Sequence, residues 1–242
     1  MGQLNVDRLS VEARRAFTRS LLADVRALDR MLASDALESG CRRIGCEQEM
    51  FLVDRTWMAN PVGPDLLESL EDGHFTTELG RFNLELNLDP ITFGDDCLSR
   101  MESELHARLS KAREVAKAFD TEIVLTGILP SLRKSDLTLD NMTPRERYHA
   151  LNDALGRLCG GDWQFHLEAA DQLNVRQDSI MLEACCTSFQ VHYQADAATF
   201  PQLYNAAQAI TGPLLAAAAN SPLLFGRRLW SETRIPLFQQ AV

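Results

Sequence analysis

The sequence lacks the segments that would place a protein in or across a membrane. No apolar run within its 242 residues approaches the ~20 residues that a membrane-spanning helix needs. Residues 1–8 contain no apolar core of the kind found in secretory signal peptides. We therefore expect a cytoplasmic protein that makes no membrane contact.

Paired cysteines and nucleotide-binding glycine motifs are also missing. The six cysteines contain no Cys-x-x-Cys pair, and the neighbours Cys185 and Cys186 could form only a strained disulfide. We interpret all six as reduced thiols that pack as small hydrophobic side chains. Neither Gly-x-Gly-x-x-Gly nor Gly-x-x-x-x-Gly-Lys-[Ser/Thr] occurs, so a Rossmann or P-loop site is not supported.

Positive charge is scarce as well. The chain has 24 Lys and Arg against 34 Asp and Glu, which gives a formal net charge of −10. A broad surface for nucleic acid or for an anionic membrane is therefore not expected. An acidic protein can still bind an anionic small molecule when metal ions lie between the two.

The sequence does contain enough apolar residues for one large core. Hydrophobic residues make up 45% of the chain, and no repeat, low-complexity tract or linker divides it. We predict a single catalytic-type domain over residues 1–242, with an N-terminal helix (residues 1–40) that packs on the rest. Apolar residues at spacings of three and four support that helix at 10–38: Phe17, Leu21, Val25, Leu28 and Leu32.

The order of the predicted elements indicates the fold class. Further helices are predicted at 95–118, 143–158 and 199–219, the last of them alanine-rich and largely buried. Strands are predicted at 44–54, 81–88, 122–125, 163–168 and 188–194, with loops at 56–73 and 131–142. Strands and helices do not alternate regularly. We therefore predict an α+β fold, in which helices cover one face of an antiparallel sheet and the other face is polar.

The first predicted strand holds two carboxylates on one face. Side chains alternate along a strand, so Glu47 and Glu49 both point away from the face that carries Ile44, Met50 and Leu52. Two carboxylates this close repel each other, and folding gains nothing from that unless a positive group lies between them. The pair therefore suggests a metal site.

A second stretch supplies two more carboxylates, Glu78 and Glu85. Gly80 interrupts the pattern between them, and a bend or bulge there would let both side chains face one cavity. After the break, alternation predicts a strand with Glu85 on its polar face. Four glutamates would then meet at one place.

The strand 188–194 shows a third polar row. Gln190, His192 and Gln194 share one face, while the other face is predicted to join the core: Phe189, Val191 and Tyr193. Surface rows usually carry lysine, arginine and threonine as well, and these polar rows carry none. They are typical of the wall of a binding site.

Each of these residues also has an ordinary structural interpretation. A single surface glutamate is usually only solvated, a strand histidine such as His192 is more often structural, and Arg147 can pair with acids on its own helix. We interpret His166 and Glu168 as structural. The clustering of four glutamates favours a metal site, because unpaired carboxylates are costly to bring together.

In this order the motifs resemble the glutamate–cysteine ligase and related carboxylate–amine ligase superfamily, of the second, bacterial-plant type. The resemblance runs from about residue 43 to the end of the sequence. Its motifs are Gly45-x-Glu47-x-Glu49, the pair Glu78 and Glu85 before Asp89-Pro90, Val191-His192, and Ser221-Pro-x-x-x-Gly226-Arg227 followed by Thr233-Arg234.

The resemblance implies a glutamine synthetase-like catalytic fold, a curved antiparallel sheet forming a funnel, that uses ATP with Mg²⁺ or Mn²⁺. One metal would be held by Glu47, Glu78 and Glu85, and another by Glu49 and His192. The implied catalytic residues are Glu47, Glu85 and Arg234. The implied substrate- and ATP-binding residues are Arg147, Gln190, Gln194, Arg227 and Arg234.

The sequence departs from the family pattern in two places. It stops soon after Arg234, where family members usually continue, so we expect a domain that is incomplete at its C-terminus. Whether such a domain is active by itself is left open. The segment from Cys159 to Cys186 is longer than the corresponding segment of the family pattern. Because this insert could change which amine is accepted, the identity of the amine stays open.

The leading hypothesis is an ATP-dependent carboxylate–amine ligase that forms a γ-glutamyl amide through an acyl phosphate, with γ-glutamylcysteine as the first candidate product. Two alternatives stay open: a non-catalytic nucleotide- or metal-binding module, and a metal-dependent hydrolase that uses the same carboxylates. The expected partners are small molecules, namely an amino acid, an amine and ATP. The oligomeric state is open.

Overall fold

A computed structural model describes residues 11–34, 36–159 and 163–241. Its helices are α1 Val11–Ala33, α2 Gly63–Leu70, α3 Cys97–Ala116, α4 Glu146–Cys159, α5 Phe200–Ala218 and α6 Arg234–Ala241. Its strands are β1 Arg43–Val53, β2 Phe75–Thr77, β3 Asn83–Asn87, β4 Ile91–Thr92, β5 Glu122–Val124, β6 Trp163–Glu168, β7 Gln172–Gln177, β8 Phe189–Tyr193, β9 Leu223–Leu224 and β10 Arg227–Arg228.

Strand β1 is the centre of a six-stranded antiparallel sheet. It pairs with β3 and β4 along one edge and with β8 and β5 along the other, and β2 pairs with the far edge of β3. Strands β6–β7 and β9–β10 form two separate hairpins. The predicted antiparallel α+β architecture is confirmed, whereas the glutamine synthetase-like fold stays a prediction.

Helices α2 and α3 cover one face of the sheet. The alternation predicted for β1 and β3 is confirmed, since Met50, Leu52, Leu84 and Leu86 are fully buried on this face. Full burial of a leucine side chain contributes about 1.5–3 kcal/mol. The cluster is completed by residues of α2, β2, α3 and β5 and their neighbours: Cys46, Leu66, Leu70, Phe75, Leu88, Leu109, Ala112, Ala116 and Ile123.

The opposite face is polar at one end only. It carries Glu47 and Glu49, but two residues further along β1 it is buried under a second apolar cluster that begins at Phe51 and Val53. The rings of Phe51 and Phe82 stack there with centroids 6.5 Å apart. The prediction of a polar second face therefore holds for only part of the sheet, and the carboxylates lie at its border with the second core.

Segments that the sequence left irregular build this second core. The β6–β7 hairpin, within the long segment 159–186, contributes Phe165 and Val175. The loop 131–142 is packed rather than free, since Leu132, Leu137 and Met142 are buried. The long segment is thus part of the main fold.

Two predictions about burial are wrong. Helix α5 forms nearly where predicted, yet none of its 19 residues is buried. Phe189, Val191 and Tyr193 on β8 are exposed instead of facing the core, because helix α3, which covers this face, makes its main sheet contacts with β1, β4 and β5.

Helix α1 also forms within its predicted limits. None of its residues at 11–33 is buried, so the packing of this helix on the domain stays a prediction. Among the described helices, none combines the length and apolarity needed to cross a bilayer. The five cysteines whose side chains are described are free thiols, as predicted: Cys41, Cys46, Cys97, Cys185 and Cys186.

Candidate metal centre

Three carboxylates meet at the border between the polar face and the second core. One oxygen from each of Glu49, Glu78 and Glu85 lies within 4.8 Å of the other two, and all three side chains are half-buried. Groups this close on rigid elements form a donor set for a hard divalent cation.

The sheet register explains how two of the three meet. Glu49 on β1 lies directly opposite Glu85 on β3, and directly opposed side chains of an antiparallel pair project to the same side. The β2–β3 hairpin brings Glu78 to them, since β2 ends just before it and Thr76 lies opposite Glu85.

Gly80 lets the hairpin close at this point. A Cβ there would lie 2.5 Å from Asn83 Oδ1 and 3.1 Å from the Phe82 ring, so a side chain would not fit without a shift. The predicted break at Gly80 is confirmed, as a chain reversal between two strands instead of a bulge within one.

The electrostatics of the cluster are unfavourable without a cation. Burial, a hydrogen bond with Glu85, and the charges of Glu85 and Glu49 raise the pKa of Glu78 to about 8. Without a cation, Glu78 therefore holds a proton at neutral pH. Burial also raises the pKa of Glu49, although bonds from Ser188 and Gln190 work against it.

Glu49 and Glu85 are oriented by their own hydrogen bonds. The Ser188 backbone N–H donates to Glu49 Oε2 at 2.7 Å, and Gln190 Nε2 to Glu49 Oε1 at 3.3 Å. Asn87 Nδ2 donates to Glu85 Oε1 at 2.6 Å. These donors fix the orientation of the two carboxylates.

Glu47 and His192 form a second pair on the same face. Their side chains approach to 3.3 Å between His192 Nε2 and Glu47 Oε1. Burial and the charge of Glu85 raise the pKa of Glu47, and His192 opposes them.

The structure therefore groups the five predicted ligands differently from the sequence. The expected sets are Glu47 with Glu78 and Glu85, and Glu49 with His192. In the β1–β8 register His192 lies opposite Gly45, which makes Glu47 its diagonal neighbour. Glu49 lies opposite Glu85 instead and joins Glu78.

Arg234 lies close to Glu49 and is held rigidly. Its Nε and Nη2 donate to the two carboxylate oxygens of Glu232 at 2.6 and 2.8 Å, and its Nη1 donates to the Thr187 carbonyl at 2.7 Å. Burial alone would raise the pKa of Glu232, but the bonds from Arg234 and Ser221 hold it below its usual range. Gly127 makes room for the guanidinium, since a Cβ there would lie 2.9 Å from Arg234 Nε.

Arg147 is connected to the cluster through Tyr148. Its guanidinium lies 4.6 Å from the Tyr148 ring centroid and donates to the phenol oxygen at 2.7 Å. Burial raises the pKa of Tyr148, and the charge of Glu78 adds to the rise. Arg234 therefore lies near Glu49, and the Arg147–Tyr148 pair lies near Glu78.

Two other predicted residues lie elsewhere. Gln194 bonds to Glu38 and Arg43 at the far end of the polar row. Arg227 is exposed on β10, beside Asp171, whose pKa it helps to lower. Only Gln190 of the predicted amide and arginine set touches the three-carboxylate cluster directly.

The family model of glutamate-cysteine ligase family 2 matches residues 43–241, which is most of the chain. The chain belongs to glutamate-cysteine ligase family 2. No curated protein matches it.

Membership of glutamate-cysteine ligase family 2 agrees with the resemblance stated from the motifs. It indicates an ATP-dependent ligase of the glutamate–cysteine ligase type at the level of the family. The matched region begins at β1 and includes the carboxylate cluster, the β8 strand and Arg234. It leaves out α1, which ends ten residues earlier.

Some supporting residues were not among the predicted site residues. Tyr148 follows Arg147 directly but carries no motif of its own. Asn87 lies in the polar row of β3, on the same face as Glu85, and this alternation could have identified it. The donor from Ser188 is a backbone N–H, which no sequence pattern reveals.

Proposed function

We propose that the chain is an ATP-dependent carboxylate–amine ligase that joins an amine to the γ-carboxylate of glutamate through an acyl phosphate. γ-Glutamylcysteine is the first candidate product. Family membership supports the reaction class. The observation that carries the site assignment is the meeting of Glu49, Glu78 and Glu85 within 4.8 Å.

The donor set fits a divalent metal. Three carboxyl groups this close repel one another when ionised, and the raised pKa of Glu78 reflects that cost. A hard dication would take the place of the proton on Glu78. When bound, Mg²⁺ or Mn²⁺ would neutralise negative charge that develops during phosphoryl transfer. Glu49, Glu78 and Glu85 would hold one ion, and Glu47 with His192 would serve a second.

The protein's own cations complete the proposed site. Arg234, fixed by Glu232, would bind the substrate carboxylate or a phosphate without losing much side-chain freedom. Arg147, held against Tyr148, would do the same from the Glu78 side. Gln190 would donate to substrate or keep Glu49 oriented. We do not include Gln194 or Arg227 in the proposed site.

The reaction would run in two steps. A γ-carboxylate oxygen attacks the terminal phosphorus of ATP, and ADP leaves. The amine nitrogen then attacks the acyl carbon, inorganic phosphate leaves, and the nitrogen loses a proton. Glu47 and Glu85 would act as ligands of the divalent ions, and Arg234 would stabilise the negative charge of the substrate.

The test is ADP release by the purified chain with Mg²⁺, glutamate and a panel of amines that includes cysteine. We expect release that requires both glutamate and an amine. Glu85→Gln should abolish it and weaken Mn²⁺ binding, measured by calorimetry, while Glu122→Gln, exposed on β5 of the same sheet, should leave both unchanged.

Other outcomes separate the alternatives. Release of ADP without an amine would replace the ligase proposal with a metal-dependent hydrolase. Nucleotide binding without turnover would leave only a non-catalytic module. If Mn²⁺ bound the Glu85→Gln protein as tightly as the wild type, the metal centre itself would be wrong.

A further inference from the structure

One buried side chain beside the carboxylate cluster has no partner for either of its polar atoms. Asn83 is 2% exposed, and within the described part of the chain neither its Nδ2 nor its Oδ1 has a hydrogen-bond partner. Thr77 and Arg81 each have one such atom, and Asn83 has two. Buried amides are nearly always bonded, because an unpaired donor or acceptor loses its hydration without compensation. The position of this side chain therefore needs an explanation.

The sheet register places Asn83 on the face of the carboxylates. It lies opposite Phe51 on β1, and the next pair on the same face is Glu49 with Glu85. Glu85 is therefore its neighbour two residues along β3, and Glu49 is its diagonal neighbour on β1. Asn87, two residues beyond Glu85, donates its amide to that carboxylate at 2.6 Å. An asparagine at this spacing on β3 can thus contact the cluster.

The other surroundings of the Asn83 amide are apolar. Its Oδ1 packs against Gly80, where a Cβ would lie 2.5 Å from that oxygen, 3.1 Å from the Phe82 ring and 3.2 Å from the Ala184 methyl group. Neither the ring nor the methyl group can satisfy an amide. Phe51, opposite Asn83, belongs to the second core. The polar side chains that the register brings nearest to this amide are therefore the carboxylates of the cluster.

An asparagine beside three carboxylates suits a hard divalent cation. Such ions take oxygen ligands, and the amide carbonyl is a neutral oxygen donor of this kind. The octahedral coordination that Mg²⁺ prefers leaves positions for further oxygens after three carboxylates have bound. An ion in the cluster would give Oδ1 a partner, and Nδ2 would then donate to a carboxylate oxygen that the ion does not use.

We propose that Asn83 is a further ligand of the metal centre, in which its amide oxygen binds the ion held by Glu49, Glu78 and Glu85. The amide lacks partners in the metal-free protein and gains them when the ion binds. Asn83 therefore lowers the stability of the metal-free fold and raises its affinity for metal, as residues of functional sites often do. This inference rests on the proposed metal centre and extends it to an uncharged residue.

A buried water molecule is the alternative partner for the amide. A water that bonds to Asn83 would satisfy it in the metal-free protein as well. Replacing the amide by an apolar side chain would then remove good hydrogen bonds and lower stability. If the partner is the metal ion, the same replacement removes two unpaired groups and raises the stability of the metal-free protein. The two explanations thus predict opposite signs.

The test uses Asn83→Leu, which keeps the shape of the side chain and removes both polar atoms. We expect the thermal midpoint of the metal-free protein to rise by about 3–6 °C. We expect the dissociation constant for Mn²⁺, measured by calorimetry, to rise at least about tenfold. Asn83→Asp keeps an oxygen at this position and should bind Mn²⁺ at least as tightly as the wild type.

Thr77→Val is the matched control. The Thr77 hydroxyl is also without a partner among the described residues, and Thr77 is only 4% exposed. It lies opposite Leu84, however, on the face of the sheet that α2 and α3 cover. Its replacement should raise the thermal midpoint by a smaller amount and leave Mn²⁺ binding unchanged.

Two results would overturn the proposal while the metal centre stands. One is an Asn83→Leu protein that unfolds cooperatively and binds Mn²⁺ as tightly as the wild type. The other is a metal-free Asn83→Leu protein that is less stable than the wild type, since its amide would then have a partner without metal. A wild-type chain that does not bind Mn²⁺ would instead overturn the metal centre, and this inference with it.

Discussion

At the scale of single residues, Glu78 decides how the candidate site behaves without metal. Its pKa of about 8, against a usual value of 4.5, means that the folded chain holds a proton that the unfolded chain releases. Between these values the folded state binds more protons than the unfolded state, so stability falls as pH rises. The cost of the cluster is therefore fully present only above pH 8.

We predict that Glu78→Gln raises the thermal midpoint of the metal-free protein. The gain should be small near pH 4.5 and grow to about 5 °C by pH 9, because glutamine removes the repulsion without changing the shape. Thermal scans across this pH range measure it, with Glu122→Gln as control. A gain that is independent of pH would contradict the raised pKa of Glu78.

Arg234 is a residue whose geometry matters more than its charge. It forms a two-pronged bond with Glu232 while only 21% of its side chain and 9% of its partner's are exposed. Arg228 forms a similar fork with Asp171, but its side chain is 73% exposed.

We predict that Arg234→Lys lowers the free energy of unfolding by about 1–3 kcal/mol, since lysine keeps the charge but cannot satisfy both oxygens of Glu232. Arg228→Lys should change it little, because solvent screens an exposed pair. Urea denaturation of both variants compares them. Equal effects would mean that burial of the Arg234 fork adds nothing.

At the scale of elements, the β2–β3 hairpin is what brings Glu78 to the sheet. We predict that Gly80→Ala costs about 1–3 kcal/mol of stability, because the new Cβ would lie 2.5 Å from Asn83 Oδ1. It should also weaken Mn²⁺ binding. Gly73→Ala is the control, since a Cβ there meets nothing within 4 Å. If Gly80→Ala bound Mn²⁺ as tightly as the wild type, the turn at Gly80 would not be needed to position the metal ligands.

A charged network joins α3 to the loop before β2. Burial alone would raise the pKa of Asp72, but bonds from His74 and Lys111 and the charge of Arg108 outweigh it and lower the pKa to about 2. Bonds to Asp72 and then Asp89 raise the pKa of His74. The Asp72 contribution is present above pH 3.8 and is lost as pH falls towards 2.

We predict that Asp72→Asn lowers the free energy of unfolding by about 2 kcal/mol at pH 5. The difference from wild type should fade below pH 3.8, where protonated Asp72 resembles asparagine. It should also shrink as pH rises above 6.5, because the contribution of charged His74 is lost as pH passes through its raised pKa. Asp96→Asn, with Asp96 70% exposed, serves as the control in denaturation series at each pH.

At the scale of the whole molecule, a bound metal should stabilise the fold. The cluster joins β1, β3 and the β2–β3 hairpin, so an ion there would bind the folded state and not the unfolded chain. At a free Mn²⁺ concentration near 100 times the dissociation constant, we expect a gain of about 2.7 kcal/mol, or about 5–10 °C in the thermal midpoint. Glu85→Gln should remove the gain, and an equal gain in that variant would place the metal elsewhere.

The sequence by itself determined most of the local structure and the carboxylates of the site. Alternation fixed the faces of β1 and β3, and spacing fixed α1, α3 and α5, because these patterns are local consequences of strand and helix geometry. The unusual row of acids at 47, 49, 78 and 85 pointed to a metal site, and its motifs pointed to the family.

Only the tertiary structure decided which acids meet and what is buried. Register pairs Glu49 with Glu85 and leaves Glu47 to His192, and register depends on which strands become neighbours. Phe189, Val191 and Tyr193 alternate like core residues but are exposed, since the main sheet contacts of α3 are with β1, β4 and β5. An apolar pattern predicts that a face will be buried, but it does not identify the surface that covers it. That surface is determined only when the elements pack together.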